Sequence, residues 1–388
     1  MPQKLTCQKN LFSLPDDITY LNGAYMSPLL KASEEAGIKG LQLKRAPNEI
    51  KLYHFFDQVQ KLRVTCATLL NVTNPNRIAF IPSVSYGMGI VVKNLNLKPS
   101  EKIVVAGEQF PSNIYPWMSL VKEKNAELTI VSPPDTIKNR GMLWNEAILD
   151  AITPETKMVA ISHTHWADGT LFNLKAIREK TTKNDALMVV DGTQSVGALP
   201  FDVSDIQPDA LICSGYKWML GPYGSGIGYF NEKFDGGKPL EEAWINRYES
   251  EDFANLVNYQ EDYQEDSLRF ESGGRSNFIQ IPIFQAAVDT ILNWGVENIQ
   301  DYLSEIIEEP VEKLKRIGCK IEDKSYFSPH LFGIRFNDDF SIDKMKTLLT
   351  EAGIIVSFRG TAMRVSPHVY NEKKEMDKLV SVLEYSMK

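Results

Sequence analysis

Short apolar runs, each about four or five residues long, recur along the chain between residues 78 and 230, bounded by polar or Gly/Pro positions. Seven of them read as strands: Ile78–Ile81, Lys102–Ala106, Leu128–Val131, Met158–Ser162, Leu187–Val190, Ala210–Cys213 and Gly226–Phe230. Unbroken apolarity, rather than alternation, suits strands covered on both faces. Helical patterns lie between several of them, at Gly87–Asn94, Ile114–Lys124, Asn145–Ala151 and Leu174–Thr182. This alternation predicts an α/β fold built on a parallel sheet with helices on both sides. Ligands of such sheets gather in the loops at the carboxyl ends of the strands.

The pattern changes in the last quarter. A helix from about Ile279 to Glu308 precedes a strand at Leu331–Phe336. A helix at Ser341–Glu351, strands at Ile354–Phe358 and Met363–Ser366, and a final helix from about Glu372 complete the chain. Ser341 and Asn371 suit the N-caps of the two late helices. The layout predicts a 1–20 N-terminal segment, a large 21–275 domain and a small 276–388 αβ domain on which the N-terminal residues pack.

Composition adds limits rather than direction. Over 388 residues, 42 Lys+Arg against 50 Asp+Glu leave a net charge of −8, and 43% hydrophobic with 24% charged residues is ordinary for a globular chain. The acidic balance speaks against nucleic acid and anionic membranes as partners. No apolar run approaches the ~18 residues of a membrane span, and MPQKLTCQKN lacks the features of a signal peptide. Four scattered cysteines (Cys7, Cys66, Cys213, Cys319) without a CxxC pair favour reduced thiols and a cytoplasmic location. Cys319 is expected on a surface segment.

Three segments carry candidate chemistry. In Val189-Val190-Asp191-Gly192-Thr193-Gln194 a carboxylate follows an apolar strand and points into the crevice above the sheet. Taken alone, Asp191 reads as readily as a cap of the following turn. In Cys213-Ser214-Gly215-Tyr216-Lys217-Trp218 a lysine follows a second strand between aromatic neighbours. Burial would favour its neutral amine, the form that attacks a carbonyl, although a snorkelling lysine has the same local pattern. In Ile81-Pro82-Ser83-Val84-Ser85-Tyr86-Gly87 a strand enters a helix through a Ser/Gly turn, where free N–H groups and the positive helix end could bind phosphate. A phosphorylated pyridine cofactor needs a lysine, a carboxylate for its ring nitrogen, a phosphate cup and a flat stacking residue. Lys217, Asp191 and Ser85 supply the first three, and Phe110, in Gly107-Glu108-Gln109-Phe110-Pro111, the last.

On these residues the chain resembles the class V aminotransferases, fold-type I enzymes of pyridoxal 5′-phosphate that include cysteine desulfurases, kynureninases and isopenicillin N epimerase-like proteins. The resemblance runs from Tyr20-Leu21-Asn22-Gly23-Ala24 to the C-terminal helix, and rests above all on Val-Asp-Gly-Thr-Gln … Ser-Gly-Tyr-Lys. It implies a large domain with a mostly parallel seven-stranded sheet flanked by helices and a small C-terminal αβ domain. It also implies that Lys217 carries the cofactor as a Schiff base and that Asp191 partners the pyridine nitrogen. Gln194 is similar to the residue that bonds the phenolic oxygen. Ser214 and Tyr216 match phosphate positions, Val84 (through its N–H) and Ser85 the phosphate cup, and Phe110 the stacking position. Arg364 in Met363-Arg364-Val365-Ser366 resembles the arginine that holds the substrate carboxylate. Asn22 and His54 align at the substrate side, although His54 also reads as a packed core histidine. Gly274, in Glu271-Ser272-Gly273-Gly274-Arg275, aligns with a loop that reaches the partner's phosphate, which implies a homodimer with active sites at the subunit interface. Tyr25, Trp166 and Arg275 are further candidates for the substrate pocket.

Two departures from the family pattern stand out. Desulfurases carry a persulfide cysteine just before the arginine, where this chain reads Ser357-Phe358-Arg359-Gly360-Thr361-Ala362. Near the cofactor oxygen, where an Asn is frequent, it has His165-Trp166-Ala167-Asp168. His163 and His165 alternate on a strand and cannot share a metal, so no metal site is expected. Neither GxGxxG nor GxxxxGK[ST] occurs, and Glu305–Glu309 reads as a solvated helix face. The expected function is an enzyme acting on an amino acid substrate, first an aminotransferase, with a β-lyase (C–S lyase-like) or epimerase as alternatives. A cofactor-binding regulator is the non-enzymatic alternative.

Overall fold

The seven expected strands pair into one sheet in the computed structural model, which describes residues 4–336 and 341–387. They are β1 (Ile78–Ile81), β2 (Lys102–Ala106), β3 (Glu127–Val131), β4 (Thr156–Ser162), β5 (Leu187–Asp191), β6 (Ala210–Ser214) and β7 (Gly226–Phe230). Their spatial order is β1-β7-β6-β5-β4-β2-β3. All neighbours run parallel except β7, which is antiparallel to both β1 and β6. Two antiparallel steps return β1 to the direction of β6, so its carboxyl end opens on the same edge. Alternate residues feed different cores: Ile103 and Val105 lie in one apolar cluster, Val104 and Ala106 in another. A sheet packed on both faces has no polar side, which is why the strands read as unbroken apolar runs.

The later part forms a second sheet of β8 (Phe332–Ile334), β9 (Ser357–Arg359) and β10 (Ala362–Val365), antiparallel in the order β9-β10-β8. A third cluster of buried residues joins Phe12, Leu21 and Leu30 to the C-terminal helices. Thr19–Tyr20 pairs in parallel with Ile354–Ile355.

Four expectations are corrected. The single helix of 279–308 is two, Gln280–Trp294 and Val296–Arg316, parted at Gly295, whose φ of 77° is open mainly to glycine. The second continues past Glu308 because Ile299, Leu303, Ile307, Val311 and Leu314 keep one face buried. The strand expected at 354–358 splits, Ile354–Ile355 joining Thr19–Tyr20 and Ser357–Arg359 joining β10. Glu372, not Asn371, caps the last helix: its N–H donates to Glu375 Oε2 at 2.8 Å in a capping box. Asn371 instead accepts from His368 N–H and donates to Tyr20 O. Ser341 does cap its helix, accepting from Lys344 N–H. Finally, Cys319 is 4% exposed, and burial pushes its thiol up to about 11. All four cysteines are free.

Candidate active site

The carboxyl edge of the large sheet gathers the candidate residues. Asp191 ends β5 and is buried at 6% exposure. Burial raises its pKa, against hydrogen bonds from Thr193 and the nearby charge of Lys217. Thr193 N–H donates to Asp191 Oδ1 at 3.0 Å, while its own hydroxyl oxygen accepts from Ser214 N–H at 3.1 Å. Thr193 thus ties the ends of β5 and β6 together. The D-G-T spacing marks such a turn, but the tie from Thr193 to Ser214 is visible only in the fold.

Lys217 follows β6 by three residues and is 5% exposed. Burial, and next the Arg364 guanidinium, bring its pKa down from 10.5 to about 8. Its Nζ stands 5.6 Å from the ring centres of both Phe110 and Tyr216. Tyr216 packs on Tyr223 at 4.8 Å, and burial raises its hydroxyl to about 12. Ser214 is buried beside Thr193, their hydroxyl oxygens 3.4 Å apart.

At the end of β1, the helix Val84–Asn94 starts with Ser83 as N-cap, its oxygen accepting from Tyr86 N–H. Among the described residues nothing takes the N–H groups of Val84 and Ser85, which leaves two donors at the positive helix end. Ser85 donates to Ser112 Oγ at 2.9 Å, linking this turn to the Phe110 loop.

Gln194 is buried, with Nε2 donating to Ala24 O at 3.1 Å and Oε1 accepting from Trp218 Nε1 at 2.9 Å. Its acceptor oxygen is therefore used inside the protein and one amide hydrogen remains. Asn22 lies on the other wall, its Oδ1 accepting from Ser357 Oγ at 2.7 Å.

Arg364 enters from β10. It is 1% exposed, and Nη1 donates to Trp166 O at 2.7 Å, while Nε has no partner. Burial, and then the Arg359 guanidinium, bring its pKa down to about 9. Among the described residues no carboxylate pairs with Arg364 or with Lys217. Trp166, whose role the sequence left open, donates Nε1–H to Glu108 O at 2.7 Å and stands edge-on to Phe110 at 5.4 Å.

Asp168 proves to be a strut. It bonds His165 at 3.0 Å and pairs with Arg335 at 2.5 Å and Arg140 at 3.3 Å. Burial alone would raise its pKa, but these neighbours hold it well below the usual carboxylate range. His165 reaches on to Glu108 O, so this cluster buttresses the Phe110 loop. His163 and His165 lie past the end of β4, and His163 packs on Phe201.

The structure does not bring every expected residue to this cluster. His54 accepts Lys51 N–H and packs between Tyr53 and Phe278, without a bond or ring contact to Lys217, Arg364 or Phe110. Gly274 borders a cavity of about 200 Å³ with Phe80, Pro82 and Gln280. Arg275 turns inward to Glu271, which Arg63 shares at 2.7 Å. Tyr25 is 55% exposed.

These groups fit a phosphorylated pyridine aldehyde: a buried amine of lowered basicity, a buried carboxylate, unpaired donors at a helix start and a flat ring beside the amine. The unpaired Arg364 Nε supplies a donor for an anion. Comparisons agree. The Aminotransferase class-V family matches residues 51–379. The uncharacterized aminotransferase YcbU of Bacillus subtilis is 27% identical over 78% of this chain and 77% of its own. A probable cysteine desulfurase of Pyrococcus abyssi is 25% identical over 81% and 79%. Among solved structures, C-DES with glycine covalently linked to its PLP cofactor has a TM-score of 0.87 at 20% identity, over 98% of this chain and 99% of that one. The Escherichia coli cysteine desulfurase CsdA has 0.81 at 20%, over 97% of each. The chain belongs to the class-V aminotransferase family, and its cofactor is pyridoxal 5′-phosphate.

Proposed function

We propose that this enzyme is an aminotransferase in which Lys217 carries the cofactor and Arg364 grips the α-carboxylate of the incoming amino acid. The observation that carries this reading is a buried guanidinium, without a carboxylate partner among the described residues, next to a buried amine whose pKa is held near 8. A buried cation left unpaired is costly, and an amino acid carboxylate removes that cost while orienting the Cα bond. When bound, pyridoxal phosphate supplies an electron sink for the bond broken at Cα.

The protein's own groups do the rest. Asp191 would hold a proton on the pyridine nitrogen, and Phe110 would stack on the ring. The N–H groups of Val84 and Ser85, with Ser85, Ser214 and Tyr216, would hold the phosphate. Gln194 would give its remaining amide hydrogen to the phenolic oxygen, while Asn22 borders the substrate. As a neutral amine, Lys217 would take the proton from Cα and pass it on rather than return it there, which is what amino-group exchange requires.

We further assign residues 1–20 to an N-terminal segment, 21–275 to a cofactor domain and 276–388 to a small domain. A homodimer fits the exposed apolar residues Tyr25, Leu41, Tyr223 and Trp244 and would bring the Gly274 loop to the partner's phosphate. Four thiols outside any disulfide fit the cytoplasm, and no helix among the described residues is long and apolar enough to cross a membrane.

A β-lyase is the second reading, supported by the fold shared with the cystine C–S lyase C-DES. Sulfur transfer through a protein persulfide is disfavoured, because the 357–362 turn has no cysteine and Cys319 is buried. The two readings separate by product. Holoenzyme given an amino acid panel with a 2-oxo acid should yield the exchanged pair, and Arg364→Gln should lower kcat/KM roughly 10- to 100-fold. Release of pyruvate from a β-substituted amino acid without an oxo acid would favour the lyase.

A further inference from the structure

We propose that Arg359 is a second anion-binding side chain of this site, and that the substrate is an amino acid whose side chain ends in an anion. This rests on the reading of Arg364 as the α-carboxylate grip. The hairpin geometry comes first. Ser357 faces Arg364 across β9 and β10, and Arg359 faces Ala362. Residues opposite one another share a face, as do residues two apart. Arg359 and Arg364 therefore project from the same face, roughly 7 Å apart along the strands.

Ring contacts fix where Arg359 ends. Its guanidinium carbon stands 5.6 Å from the centre of the Trp166 ring. Trp166 is held by its Nε1 bond to Glu108 O, is edge-on to Phe110, and gives its carbonyl to Arg364. Lys217 Nζ meets the same Phe110 ring. Thus Lys217, Arg364 and Arg359 gather around the Phe110–Trp166 pair, and the charge of Arg359 is felt at both of the others. Arg359 is half-buried, spends one N–H on Phe358 O at 2.7 Å, and has no carboxylate partner among the described residues.

The guanidiniums of Arg359 and Arg364 both lack a carboxylate partner among the described residues, which leaves an excess of positive charge beside the site. An amino acid with a single carboxylate would compensate Arg364 only. A side-chain carboxylate, sulfonate or phosphate would meet the remaining donors of Arg359, whose planar fork suits all three, while its stem lies along Trp166.

The test is a titration of the holoenzyme's visible absorbance with aspartate, glutamate, cysteate and O-phosphoserine, set against asparagine and glutamine. At least one of the four acids should bind tenfold or more tightly than either amide. Which acid responds identifies the anion. Arg359→Met should bring the acid-to-amide ratio to about one, and Arg359→Lys should retain part of the preference. Without cofactor, glutarate should raise the melting temperature of the wild-type chain more than butyrate does, and Arg359→Met should remove that difference. A wild-type response to neutral amino acids with no preference for acids, or a preference unchanged in Arg359→Met, overturns this inference and leaves the amino acid reading standing. No spectral response to any amino acid overturns both.

Discussion

Lys217 sits 5% exposed with a guanidinium as its second strongest electrostatic influence, so the unloaded chain carries an internal strain of charge. Its pKa is about 8 in the folded chain against an ordinary 10.5. Between those values the unfolded chain binds the extra proton, so this group's contribution to stability rises with pH across that window. Below pH 8 the penalty is fully expressed, up to about 3 kcal/mol. Lys217→Met should therefore be more stable than wild type at pH 7 in urea denaturation of the unloaded chain. The gap should shrink toward pH 10, and a gap constant with pH contradicts the assignment. Asp191, Lys217 and Arg364 could be picked out in the sequence because Asp191 ends an apolar strand, Arg364 interrupts one, and Lys217 follows one through a tight turn between aromatic residues. Thr193 and Arg359 could not, because their meaning lies in what they face: Thr193 meets Ser214 across two strand ends, and Arg359 joins Arg364 only through β-hairpin register.

The element that shapes the phosphate cup is the helix Val84–Asn94. Gly87 lets it lie close on the sheet: a Cβ there would stand 2.6 Å from Ile212 Cγ2 and 2.9 Å from Ile81 Cδ1. Both contacts belong to stiff, fully packed residues. Gly87→Ala should therefore destabilise the unloaded chain by roughly 1–3 kcal/mol and raise the dissociation constant for pyridoxal phosphate, as the helix start shifts off the sheet. Unchanged values in urea denaturation and cofactor titration would contradict this. The strands of the large sheet were legible because their signal is local: a short apolar run buried on both faces. In the smaller sheet the strands expected at Leu331–Phe336 and Met363–Ser366 form, but the one expected at 354–358 does not, since Ile354–Ile355 and Ser357–Arg359 form one apolar stretch in sequence yet pair with partners about 335 residues upstream and 5 residues downstream. The helix break at Gly295 is signalled by one residue whose left-handed φ no periodicity registers.

Across the whole molecule, the site closes where the two sheets meet. Asn22 and Gly23 bond Ser357 and Ser366 on the small sheet, while Trp166, from a loop of the large one, receives Arg364. The N-terminal strand is thereby a clasp: residues near 20 and near 360 are joined before the pocket has a wall. The family pattern made the cofactor groups readable, because they sit in turns contiguous with strands. Arg275, read in the sequence as a candidate pocket residue, has its charge met in the fold by Glu271, which it shares with Arg63.

The account stands or falls on Lys217 as the residue that carries pyridoxal phosphate. The measurement is the visible absorbance of the purified protein after saturation with cofactor and dialysis, for wild type and Lys217→Ala side by side. A visible band retained by wild type, shifting when amino acids are added and lost in Lys217→Ala while that variant stays folded, is the expected result. A band of equal strength in both proteins, or none in wild type, would contradict it.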